Sequence, residues 1–188
     1  MYQVILASNS PRRKEILTQV GIDFTVLPSS VEEVITKTIP EEVVQELSLQ
    51  KAQDVATHFV TQQRDDTAII IGADTVVAIN DSILGKPKDD QDASNMIKQL
   101  QGNEHSVFTG VTIVICKGEE QNILQFYEET KVQVNPMTEE EIMSYLSMGD
   151  HKDKAGAYGI QGDYYNVVGF PIARFVQVLK EQGINLLV

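Results

Sequence analysis

The sequence predicts an α/β fold. Short, nearly continuous apolar runs of strand length alternate with stretches whose apolar residues recur at helical spacing. Turn-forming residues punctuate these segments, and no internal repeat, low-complexity tract or long charge block interrupts them. The 188 residues are 42% hydrophobic and 22% charged, an ordinary globular composition that can bury a sizeable core. The expectation is one unit over residues 1–188.

The elements follow in order. Gln3 to Ala7 (QVILA) reads as a buried strand. Pro11 suits the first position of a helix running to about Val20. Ile16, Leu17 and Val20 share one face of it, and Gly21 is its stop. Phe24 to Leu27 is a second short strand. Pro40 opens a helix to about Phe59, with Val43, Val44, Leu47, Ala52, Val55 and Ala56 as its apolar stripe. Ala68 to Ile79 (AIIIGADTVVAI) is the strongest strand signal. Ser82 to Pro87 reads as a turn or short strand leading into a loop. Lys88 to Leu100 forms a helix with Ala93, Ile97 and Leu100 inward. His105 to Cys116 and Ile123 to Val134 are strands, with KGEEQ as the turn between them. Thr138 and Glu141 make a capping box for a helix to about Met148. Tyr164 to Val168 is the last expected strand. Pro171 starts the last helix, which ends near Gly183.

Several functional classes fall away. The formal net charge of −12 argues against nucleic acid and anionic membranes as partners. The lone Cys116 can form neither an internal disulfide nor a zinc cluster, and its apolar surroundings make it a core residue. His58, His105 and His151 lack metal-ligand spacing and read as solvated or structural. No stretch approaches the roughly 18 apolar residues of a membrane span. The basic residues follow, rather than precede, a very short apolar run at the N-terminus, which is the reverse of a signal peptide. The expected location is the cytoplasm.

Chemistry concentrates in four places. In SNSPRRKE, a strand end meets a helix start carrying Arg12 and Arg13. Unpaired N–H groups and the positive dipole end favour an anion such as phosphate there, and two guanidiniums add forked donors. The same motif is compatible with Ser8 or Ser10 capping a helix whose arginines face water. Asp74 is a carboxylate inside an apolar strand, costly to bury without a partner, and a strand this apolar on both sides is central. Thr75 adds a hydroxyl beside it. Glu32, Glu33, Lys51 and Lys86 are scattered charges whose spacing alone cannot place them near Asp74. In DKAGAYGIQG, small residues leave backbone exposed to a planar ligand, and Gln161 offers an amide that both donates and accepts.

ASNSPRRKEIL, IIIGADTVV, LGKP, KAGAYGIQG and GDYYNVVGFPI stand in this order from Ala7 to about Ile172. In that order they resemble the Maf family, whose name comes from septum formation in bacteria. The resemblance implies an elongated, mixed, twisted sheet flanked by helices, with two lobes and a cleft, similar to inosine triphosphate pyrophosphatases. It implies hydrolysis of a nucleoside triphosphate to the monophosphate and pyrophosphate with a divalent cation, and a homodimer. Gln in the fourth motif resembles the dTTP/UTP branch. By that resemblance Asp74 is the proton acceptor, and Arg12, Thr75 and Gln161 set specificity. Ser8, Arg13, Glu33, Lys51 and Lys86 line the same cleft. The expected metal is Mg²⁺ or Mn²⁺, on Asp74 with Glu33, since hard oxygen donors suit these ions.

One departure stands out. Relatives carry an extra stretch where Gln161, Gly162 and Asp163 here run straight into Tyr164 and Tyr165. The expectation is that residues are missing between Gly162 and Asp163, rather than truly deleted. The rival to an enzyme is a nucleotide-sensing regulator of cell division with little turnover. Such a sensor needs the cations and Gln161, but no proton acceptor.

Overall fold

The computed structural model describes residues 2–62, 67–149, 151–159 and 167–185. In chain order these form β1 (Gln3–Leu6), α1 (Pro11–Gln19), β2 (Thr25–Val26), α2 (Pro40–Gln62) and β3 (Thr67–Ile79). β4 (Ser82–Leu84), α3 (Asp90–Leu100), β5 (Glu104–Lys117), β6 (Glu120–Gln133) and α4 (Glu139–Ser147) follow. A single 3-10 turn (Ala155–Ala157) and α5 (Ile172–Glu181) complete the order. The fold is the expected α/β arrangement, a mixed sheet flanked by helices.

The sheet runs β2-β1-β3-β5-β6, with β4 also paired to β3. β1 is parallel to β2 and β3; β3 with β4, β3 with β5, and β5 with β6 are antiparallel. β3 and β5 pair from Thr67↔Lys117 to Ala78↔Ser106, the long spine of the molecule. β3 is therefore central, which is why its sequence is apolar on both faces.

Side chains alternate across the sheet and bury into different cores. On one face, α2 brings Val43, Val44 and Leu47 to Val76 and Phe108, and Val55, Ala56 and Phe59 to Ile70 and Val114. Cys116 is buried on that face. The opposite face carries two clusters, one per end of the spine. Around Ile69, Ile71 and Ala73 pack Ile16 and Leu17 of α1 with Phe175 and Leu179 of α5. Around Val77 and Ile79 pack Ile97 and Leu100 of α3 with Ile142 and Leu146 of α4. Between the two clusters sit Thr75 and Thr109, register partners whose hydroxyl oxygens lie 3.0 Å apart. That polar seam divides two lobes.

The expected strand at Tyr164–Val168 is corrected in its described part. Val167 and Val168 lie in a helical turn that ends at Gly169, where φ is 113°. Val168 packs on the first of those two clusters and Val167 on the second. Both clusters lie on one sheet face, whereas a strand sends successive side chains to opposite faces. Residues 164–166 lie outside the described residues. Among the described residues, no helix is long and apolar enough to cross a membrane.

The capping box at α4 is complete. Thr138 Oγ1 accepts from the Glu141 N–H at 3.2 Å, and the Glu141 carboxylate accepts from the Thr138 N–H at 2.7 Å. Thr138→Ala removes one of these bonds and is expected to cost about 1 kcal/mol, read as a lower urea midpoint at unchanged slope.

Candidate active site

The site begins with a gap in the sheet. β5 occupies one edge of β3 along nearly its whole length. On the other edge, β1 pairs with Ala68–Ile71 and β4 with Val77–Ile79. Between them, residues 72–76 have no strand partner on that edge among the described residues. Asp74 sits in this gap, its side chain 15% exposed. A central strand thus carries an accessible carboxylate, because two short strands share one edge without meeting.

Two glycines bring a cation to it. A Cβ at Gly72 would stand 2.3 Å from the Ser48 carbonyl oxygen, and one at Gly110 would stand 2.5 Å from the Val44 carbonyl. Gly110 is the register partner of Asp74. α2 therefore lies directly on β3 and β5, pinned by the buried Ser48–Thr112 hydroxyl pair at 2.9 Å. This close approach sets Lys51 Nζ 2.5 Å from Asp74 Oδ1. The ammonium also reaches Glu33 Oε1 at 3.1 Å.

Glu33 comes from the segment between β2 and α2. Three α2 side chains at four-residue spacing, on one helix stripe, hold that segment. Asp54 accepts from the Ser29 hydroxyl and the Ser30 N–H, at 2.7 and 2.9 Å. Gln50 exchanges two bonds with the Val34 backbone, and Glu46 accepts from the Thr36 N–H and hydroxyl. The Ser29 bond holds the Asp54 carboxyl below its usual range, and the Thr36 bonds do the same for Glu46.

On the other face, Arg13 is fixed by three oxygens. Nε donates to the Gly169 carbonyl at 2.8 Å, one terminal nitrogen to Ser8 Oγ at 3.1 Å, and the other to Thr75 Oγ1 at 3.4 Å. Burial works against its charge, and the Asp74 carboxylate works for it. Neither serine caps α1 as expected. Ser10 stands at the cap position with no side-chain cap bond, while Ser8 Oγ accepts from the Ser10 N–H at 3.2 Å. The first turn of α1 thus keeps its N–H groups free of a side-chain cap, at the positive end of its dipole. Arg12 turns to Asp153, with a 2.6 Å bond to its carboxylate and a 3.1 Å bond to its carbonyl. Burial pushes the Asp153 pKa up, but the Arg12 guanidinium and the Lys154 ammonium together outweigh it, leaving the carboxyl below its ordinary range.

These groups border one cleft of about 420 Å³. Ser8, Arg12, Arg13, Glu33, Lys51, Asp74, Thr75 and Lys86 all line it. Glu32 is exposed and is not part of the lining. Gln161 and the Gly162–Asp163 junction lie outside the described residues. Asp153 and Tyr158 also line the cleft, although nothing in the sequence singled them out. They belong to DKAGAYGIQG, where the glycines and Gln161 drew the reading. No group of three His, Cys, Asp or Glu side chains able to hold a metal occurs among the described residues. What converges instead is two carboxylates on one ammonium, a hard-oxygen donor pair.

Fold and cleft together define an α/β protein whose cation-rich, carboxylate-bearing cleft suits a polyphosphate anion. The model of the Maf-like protein family matches residues 3–182, and the chain belongs to that family. A dTTP/UTP pyrophosphatase of Lachnoclostridium phytofermentans is 48% identical over 199 residues, covering 99% of this chain and 98% of the relative. A dTTP/UTP pyrophosphatase of Agathobacter rectalis is 48% identical over 205 residues, covering 99% and 100%. Both alignments are longer than this 188-residue chain, so each relative carries residues that it lacks. The crystal structure of a nucleoside-triphosphatase / dITP/XTP pyrophosphatase from Mycobacterium abscessus is similar at 14% identity, with a TM-score of 0.44. It covers 70% of this chain and 73% of its own.

Proposed function

We propose that the chain is a nucleoside triphosphate pyrophosphatase that hydrolyses dTTP and UTP to the monophosphate and pyrophosphate. The observation that carries this reading is the meeting of Asp74, Lys51, Arg13 and Lys86, from four separate segments, in one cleft. Family membership and the names of the relatives support the substrate.

Asp74 accepts the proton of a water whose oxygen attacks the α-phosphorus. The bond to the bridging oxygen breaks, and pyrophosphate leaves. Proton acceptance needs one carboxylate oxygen within hydrogen-bond reach and free of other partners. In the structure Lys51 holds that carboxylate at 2.5 Å. Phosphate oxygens compete for the ammonium, and its transfer to them releases Asp74. Arg13 is pre-oriented by Ser8, Thr75 and Gly169, so it meets phosphate oxygens with little reorganisation. Lys86 and Arg12 add charge against the departing pyrophosphate, Arg12 by exchanging Asp153 for phosphate. Thr75 and Gln161 are assigned to recognition of the nucleoside.

The donor set fits Mg²⁺ or Mn²⁺, which Asp74 and Glu33 would hold. When bound, the ion supplies Lewis acidity toward the phosphate oxygens. The cytoplasmic location, the homodimer and a single domain over residues 1–188 belong to the same proposal.

The test is a panel of nucleoside triphosphates with Mg²⁺ or Mn²⁺, scored for pyrophosphate against single-phosphate release. Pyrophosphate from dTTP and UTP, lost in excess chelator, is the expected result. Full activity in chelator sinks the metal assignment; orthophosphate release sinks the reaction.

A further inference from the structure

The cleft changes character along β3. Arg13 and Lys51 flank Asp74 at one end. At the other end Val77 and its register partner Val107 form an apolar floor, with Ala155 and Tyr158 beside them. Val77 lies three positions beyond Asp74 along β3, about 10 Å. A nucleotide whose α-phosphate lies at Asp74 spans that length with its sugar and base.

Tyr158 is unusually constrained for a residue at a cleft. Its hydroxyl is bonded to His105 Nε2, and His105 is only 3% exposed. The two rings meet edge to face, with centroids 5.2 Å apart. Burial pushes the phenol pKa up and the imidazole pKa down, favouring the neutral form of both rings. Among the described residues, His105 Nδ1 is buried without a partner. An imidazole with one unsatisfied nitrogen is a costly core filler; a fixed bond to Tyr158 gives it a purpose.

The backbone around Tyr158 is held too. The Gly156 N–H donates to the Gly85 carbonyl at 3.0 Å, beside Lys86. Gly156 has φ +67°, and a Cβ there would stand 2.9 Å from Val77 Cγ2, so this turn lies directly on the apolar floor. The Gly159 N–H donates to the Tyr145 hydroxyl at 3.2 Å. With its hydroxyl turned inward, Tyr158 presents its ring to the cleft.

We propose that Tyr158 is the nucleoside-side wall of the cleft, a specificity-determining residue, and that His105 is a positioning residue holding its ring toward the base. The assignment rests on the pyrophosphatase reading for the direction in which the nucleotide lies. Neither residue takes part in bond breaking. A pinned aromatic ring recognises a nucleobase by stacking, at low entropic cost.

Calorimetric titration with α,β-methylene-UTP and with inorganic tripolyphosphate, each with Mg²⁺, separates the two ends. Tyr158→Ala is expected to weaken the nucleotide analogue about tenfold or more and to leave tripolyphosphate unchanged. Tyr158→Phe keeps the ring and loses the bond to His105, so the analogue weakens by about threefold. An unchanged analogue affinity in Tyr158→Ala, or equal weakening of both ligands, overturns the wall. Wild-type affinity in Tyr158→Phe overturns the positioning role of His105. Pyrophosphate release from dTTP and UTP by the wild type is followed separately. Its absence overturns the pyrophosphatase reading, while the ligand pair still decides on Tyr158.

Discussion

Asp74→Asn is expected to lower kcat by about 10²–10⁴, with nucleotide affinity held within a few-fold. The amide matches the carboxylate in shape but cannot take a proton from water. It also keeps an oxygen able to accept from Lys51 Nζ, now 2.5 Å from Asp74. Lys51 is not stranded by the change, because Glu33 Oε1 remains 3.1 Å away. The phosphate-facing groups on the other sheet face depend on Ser8, Thr75 and Gly169, so Arg13 stays in place. On the proposed assignment, Arg13 and Lys51 still serve binding when residue 74 can no longer accept a proton. Calorimetry with dTTP and Mg²⁺, set beside the rate of pyrophosphate release, checks both halves. Turnover within tenfold of wild type removes Asp74 from proton transfer. A wild type that binds as tightly and never turns over makes the protein a nucleotide sensor.

The parts of the structure that local chemistry dictates were readable in the sequence. β3 is apolar on both faces because it is central, and the α2 stripe from Val43 to Ala56 is buried as its spacing requires. The capping box of α4 is a four-residue signal and forms as written. Tertiary placement was not readable. That Asp74 lies in a gap depends on β1 and β4 meeting the same edge of β3, and no local pattern records this. Glu33 reaches Lys51 only because Asp54, Gln50 and Glu46 tie down the segment that carries it. Val167 and Val168 have strand-like side chains, yet two cores on one sheet face draw them into a helical turn. Tyr158 gains its place from His105, 53 residues earlier in the chain. The family resemblance supplied the grouping of Ser8, Arg13, Glu33, Lys51 and Lys86 with Asp74; spacing alone left them scattered.

Gly110→Ala and Gly72→Ala are expected to be severely damaging, each forcing a new methyl group into α2 backbone. At Gly110 the new Cβ meets the Val44 carbonyl carbon and oxygen at 2.5 Å and the Gln45 nitrogen at 2.9 Å. At Gly72 it meets the Ser48 oxygen at 2.3 Å and the Ala52 nitrogen at 2.8 Å. All of these are α2 backbone atoms, which cannot swing aside as a side chain can, so the helix itself must move. Overpacking of this kind costs about 1–3 kcal/mol or more. The damage extends to the site, because Lys51 lies on α2 between Ser48 and Ala52, the two residues that Gly72 meets, and reaches Asp74 only through this close approach. Each variant should therefore lose kcat/KM as well as urea resistance. Gly85→Ala is the control: it sits beside Lys86, nothing lies within 4 Å of its Cβ, and its φ is not positive. It should leave both quantities close to wild type. If Gly110→Ala is as stable and as active as Gly85→Ala, α2 does not set the Lys51–Asp74 distance, and the pairing must be held from the Glu33 side instead.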